Sequence, residues 1–186
     1  MKRKTDTTKK ITIRKICQTG IFTAIIFICA QISLPMPHGV PMSLQTFAVP
    51  LAGIVLGPKS GALSALAYIS LGIIGVPVFA NFTGGPGVIF GPTGGFIISF
   101  PAMALIAGVA GEKDNIFWLI CGLFAGTAVN FFCGMCFFAF IADCGLKTAF
   151  TFCVLPFIPI SVIKIALAAV SGRIIKAALK KNGILK

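Results

Sequence analysis

The chain has 186 residues, 57% of them hydrophobic and 11% charged, including 18 Phe. Soluble domains carry about a quarter charged residues, so a soluble globular fold is excluded, and disorder is excluded by the high apolar content. The 16 basic and 4 acidic side chains give a net charge of +12, but the arginine-rich, aromatic-interleaved stripe of a nucleic-acid binder is missing. The expected class is an all-α integral membrane protein.

The chain opens on a basic segment. Lys2, Arg3, Lys4, Lys9, Lys10, Arg14 and Lys15 all lie within residues 1–15. No charge follows from Ile16 to Pro58, from Ser60 to Gly111, or from Asn115 to Ala142. A spanning helix needs about 20 apolar residues, so the first two runs each hold two spans, divided at Pro and Gly.

The first helix is predicted over about Ile16–Leu34, stopped by Pro35-Met-Pro37. A second, short one covers about Leu44–Leu56 and ends at Gly57-Pro58. The third covers about Ser60–Ile74 and ends at Gly75-Val-Pro77; the fourth covers Gly94–Ala110 and the fifth Asn115–Ala142. A sixth starts near Pro159, because Pro suits a first helical turn, and runs to about Lys180. Arg173, Lys176, Lys180, Lys181 and Lys186 follow near the end. Basic residues favour the cytoplasmic side, so both termini are expected there. The division is then a basic segment 1–15, a six-helix domain 16–180 and a basic tail 181–186. The external loops are left with one basic residue, Lys147. The apolar stretch at the N-terminus is too long for a cleaved signal.

Motifs for catalysis are missing. Gly53-Ile-Val-Leu-Gly57-Pro58-Lys59-Ser60 has the wrong spacing for a phosphate loop, so no ATPase is expected in this chain. The glycines of residues 84–95 lack the Gly-x-Gly-x-x-Gly spacing of a dinucleotide fold. Four acidic residues and a single His, His38, supply no paired acid and base. No catalytic residue, metal or cofactor is expected.

Four features carry a binding reading. Lys164 lies at membrane depth near the start of the sixth helix, where a charge costs about 2.5–3.5 kcal/mol on insertion scales. It either snorkels to the interface or faces a cavity, where ammonium and helix N-terminus together favour an acidic ligand. The loop 75–95 is long and glycine-rich yet apolar, which suits a flap that folds back over a pocket. It offers Phe79, Asn81, Phe82, Thr83, Gly84 and Gly85 as contacts. Ser43, Gln45 and Thr46 open the second helix on the same outer side, and Tyr68, the single Tyr, needs a partner if buried. Gly20-x-x-x-Ala24 in the first helix permits close approach of a second helix in lipid.

Pro41-Met-Ser-Leu-Gln-Thr-Phe47, Leu51-Ala-Gly-Ile-Val-Leu-Gly-Pro58 with Gly61-Ala62, Gly75-Val-Pro-Val-Phe-Ala80 and Gly91-Pro-Thr-Gly-Gly95 together resemble the BioY family. These are the biotin-binding S components of energy-coupling-factor vitamin transporters. The resemblance covers roughly residues 16–178. It implies six transmembrane helices, a biotin pocket beneath the external Gly-rich loop between helices 3 and 4, and a place in the cytoplasmic membrane. It also implies partners, a transmembrane T subunit and two cytoplasmic ATPases that use the ATP. Gly20 and Ala24 match the small residues that contact the T subunit. Asn81 matches a polar contact to the ureido ring, and Lys164 matches the lysine of helix 6. One position departs: Pro159-Ile-Ser161-Val-Ile-Lys164 has a hydroxyl where the family usually has Asp. Ser161 can still accept from a ureido N–H, without charge assistance. Ser161 therefore keeps open a different small acidic ligand, such as a biotin precursor. An intramembrane enzyme is the alternative from another class.

Overall fold

The computed structural model describes residues 13–36, 39–113 and 115–182. The expected basic segment 1–15, the tail 181–186 and His38 lie wholly or mostly outside these residues. The described chain is built on helices α1 (Ile13–Gln31), α2 (Gln45–Leu56), α3 (Pro58–Ile73), α4 (Pro86–Ile89), α5 (Gly94–Ile98), α6 (Phe100–Glu112), α7 (Ile116–Ile141), α8 (Leu146–Cys153) and α9 (Ile158–Lys181). Four apolar stretches, Ile13–Gln31, Gly94–Glu112, Ile116–Ile141 and Leu146–Lys181, are long enough to cross a membrane.

Helix α2 is short for a bilayer, and its position explains why it can be. It packs on α1, α3, α6 and α9, and every residue from Ala48 to Val55 is buried. A helix apolar all round belongs inside other helices rather than against water. Gly53 admits the close crossing of α6: a Cβ there would meet the Ala104 carbonyl. The outer helices turn large apolar side chains outward, among them Ile28, Leu66, Phe132, Phe140 and Leu167. Such a belt needs lipid or a partner. Polar ties join α1 to α3, with Thr23 Oγ1 3.1 Å from the Ser64 carbonyl and Ser64 Oγ 3.2 Å from that of Thr19.

The two ends of the bundle differ. At one end, Lys176 donates to the Gly111 carbonyl at 2.6 Å, and the Lys113 ammonium stands 4.0 Å above the Trp118 ring. The α2–α3 turn lies there too, with Gly57 close to Glu112. Above it, Ile54, Ala107, Leu119, Leu123, Ile165, Ala168 and Ala169 form a packed cluster. At the other end the chain departs from helices: β1 (Ser33–Leu34) pairs antiparallel with β2 (Met42–Ser43), and loop 75–95 packs against α1 and α3.

Three sequence expectations are corrected. The fourth helix is two, α5 and α6, broken at Ser99. Pro101 has no N–H for the Ile97 carbonyl, and Ser99 Oγ donates instead to the Phe96 carbonyl at 2.9 Å. The loop before it contains α4 and a 3₁₀ turn, Ala80–Phe82. The connection carrying Lys147 contains α8, whose Ala149 and Cys153 pack with Phe138 and Phe157.

Candidate functional site

At the loop-bearing end, a cavity of ≈ 320 Å³ opens between the start of α2, the turn at 80–83, α4 and α5, α7 and the start of α9. That is near the lower bound for small-molecule sites, about 300 Å³. Ser43, Gln45, Thr46, Phe79, Asn81, Thr83, Ser161 and Lys164 all line it. Residues 121 positions apart in the chain meet there.

Lys164 does not reach the surface. It is 5% exposed, and its ammonium donates to the Ser43 carbonyl at 2.6 Å and Thr46 Oγ1 at 3.0 Å. Both partners are uncharged, and an ammonium has three N–H groups. Ser161 lies one turn earlier on the same buried face of α9. A buried cation held, among the described residues, only by neutral acceptors is poorly compensated, so the cavity favours an anionic or strongly polarised ligand group.

Tyr68 is corrected. It lies behind the cavity wall and is fully buried. It accepts from Gln45 Nε2 at 2.9 Å and donates to the Val78 carbonyl at 3.0 Å. The tyrosine thus orients a wall residue and anchors the loop. Replacing it by phenylalanine strands Gln45 Nε2 and takes one of two donors from the Val78 carbonyl, and is expected to lower stability by about 1–3 kcal/mol, read by thermal unfolding of the detergent-purified protein. Gly84 and Gly85 also stand outside the lining. Gly84 abuts the Val76 carbonyl, and Gly85 N–H donates to the Gly72 carbonyl at 2.7 Å.

The loop is pinned where it crosses α1. Phe79 is buried edge-on against Tyr68, with ring centroids 5.6 Å apart. Its ring takes the space a Cβ on Gly72 would need. Gln31 Nε2 donates to the carbonyls of Val78 at 3.2 Å and Phe79 at 3.1 Å, and its Oε1 accepts from Phe82 N–H at 2.8 Å. Ser33 Oγ donates to Asn81 Oδ1 at 2.8 Å. These bonds hold two adjacent non-glycine residues in the left-handed region, Asn81 at φ 58° and Phe82 at φ 54°. Phe82 consequently points outward, 66% exposed, and only Asn81 of the pair lines the cavity.

Gly20 and Ala24 are exposed on α1, with open space beside Gly20. They lie away from the cavity. Sequence reasoning missed the aromatic wall of Phe96, Phe100, Phe131 and Phe157, and it missed Thr93 and Asn130. It also missed Gln31, which positions the loop without lining the cavity. Asn130 had a legible signal: it is the one amide in the charge-free helix α7, where an unpaired polar group is expensive.

Comparison with known proteins gives concordant results. The model of the BioY family matches residues 2–181. A biotin transporter BioY of Thermotoga maritima is 38% identical over 158 residues, 84% of this chain and 92% of the relative. A probable biotin transporter BioY of Pyrococcus horikoshii is 41% identical over 157 residues, 84% of this chain and 93% of the relative. The crystal structure of an S-component for biotin from an ECF-type ABC transporter superposes with a TM-score of 0.81 at 28% identity. That match covers 89% of this chain and 92% of the other.

Proposed function

The chain belongs to the BioY family, and from that premise we propose that it is the substrate-capture subunit of a biotin uptake transporter. The observation that carries this reading is the buried ammonium of Lys164 on a small, largely apolar cavity shared with Asn81 and Ser161. Biotin matches each part. Its bicyclic ring suits the phenylalanine wall, and its ureido group has two donors and one acceptor for Asn81, Gln45 and Ser161. Its carboxylate supplies the anion that Lys164 lacks.

In this reading the chain crosses the bilayer six times and the cavity opens at the outer face. The spans are α1, α2, α3, α5 with α6, α7 and α9. Both termini and the Lys113 and Lys176 end then face the cytoplasm, in accord with the basic bias there. The loop 75–95 is the external cap over the cavity. Gly20 and Ala24, small and outward on α1, form the contact for a transmembrane T subunit, which would couple the chain to two cytoplasmic ATPases.

The purified protein is expected to bind radiolabelled biotin saturably, one per chain, and to release biotin on denaturation when isolated without added ligand. Absence of saturable binding overturns the assignment. Asn81→Ala is expected to weaken biotin about tenfold, or about 1.4 kcal/mol, measured by equilibrium dialysis. A second reading, a related acid such as a biotin precursor, is favoured by the hydroxyl of Ser161. Competition of the precursor against biotin decides between them.

A further inference from the structure

We infer that Asn130 is a specificity residue of the cavity, its amide oxygen accepting a hydrogen bond from an N–H of the cargo; the inference rests on the biotin reading above. Asn130 sits in the middle of α7, fully buried, and lines the cavity with Phe96, Phe100 and Phe131. Its Nδ2 donates to the Phe96 carbonyl at 2.8 Å and to Ser99 Oγ at 2.7 Å. Both N–H groups of the amide are therefore used. Its Oδ1 has no hydrogen-bond partner among the described residues, although it is buried.

The orientation of the amide is fixed by this geometry. A flip would turn Oδ1 toward the Phe96 carbonyl, two acceptors face to face, and would leave Nδ2 without either acceptor. Ser99 Oγ already donates to that carbonyl, so its proton is not available to Oδ1. The break between α5 and α6 thus locks a lone acceptor in place beside an aromatic wall. A buried acceptor left without a partner is costly, and a donor arriving in that low-dielectric setting recovers the loss. Aliphatic groups and a carboxylate cannot supply the bond. A ureido N–H can.

Asn130 also braces the α5–α6 break, so the test must separate bracing from recognition. Biotin and its two ureido N-methyl derivatives are titrated against the full-length wild-type protein, Asn130→Leu and the smaller Asn130→Ala, each checked for folding by thermal unfolding. One of the two methylations should weaken wild-type binding at least tenfold more than it weakens binding to whichever variant folds. If both methylations weaken wild type and variant by equal factors, Asn130 only braces the helices and the inference is overturned. If neither variant folds, the methylated ligands on the wild type still decide: undiminished affinity for both overturns the inference. Failure of wild-type protein to bind biotin itself is a separate outcome, visible in the first arm, and removes the biotin assignment together with this refinement of it.

Discussion

Lys164→Met is expected to weaken biotin binding about 100-fold, close to 2.7 kcal/mol, while the protein still folds. Hydrogen bonds to charged groups contribute about 1.5–3 kcal/mol, and here the partner groups are shielded from water. The thioether fills the volume of the lysine stem without the charge. In the unliganded protein the substitution removes a buried cation held only by the Ser43 carbonyl and Thr46 Oγ1. Thermal stability without ligand should therefore change little or rise, even as affinity collapses. The amide of biotin identifies which ligand group meets the ammonium. Wild-type protein should prefer the free acid over the amide, and Lys164→Met should lose that preference. A variant that binds both with wild-type affinity would mean that Lys164 serves only to tie α9 to α2.

The second large effect is expected away from the cavity. Gln31→Leu removes two donations to the Val78 and Phe79 carbonyls and the acceptance from Phe82 N–H. We predict a loss of biotin affinity of at least 30-fold, about 2 kcal/mol, carried mainly by faster dissociation. Gln31 is not itself part of the cavity lining, so no ligand contact of its own is lost; what is lost is the fixed position of Phe79 and Asn81. Stopped-flow dissociation separates the two possibilities. An unchanged dissociation rate would show that the loop holds its place without α1.

Much of this fold is legible in the amino-acid order because lipid imposes a strict grammar. Charge-free runs, Pro and Gly breaks and basic flanks locate all the long helices to within a few residues. Lys164 is legible for the same reason, since an ammonium in an apolar helix requires a purpose. What cannot be read is which side chains face one another across the bundle. The 18 Phe residues look alike in the sequence, yet Phe96, Phe100, Phe131 and Phe157 line the cavity while Phe140 faces outward. Tyr68 is the single Tyr and, once buried, needs a partner that a ligand or a neighbour serves equally well. Its partners come from Gln45 and Val78, a choice made by packing. The break at Ser99 has a cue in Pro101, but Pro in the first turn of a helix and Pro that ends one are the same letter.

Helix α1 carries two features at once. Gly20 and Ala24 lie outward along its length, and Gln31 ends it as the tether of the flap. A helix transmits displacement along its axis with little loss, so a neighbour that grips the small-residue face holds a lever on the other end. Of the left-handed pair, Asn81 adopts that conformation readily, whereas Phe82 resists it by about 1–2 kcal/mol. A tilt or slide of α1 large enough to break the Gln31 bonds would let that pair relax. The position of Asn81 on the cavity wall can then be set from the flank of the molecule, with the recoil of the Phe82 torsion adding to the shift.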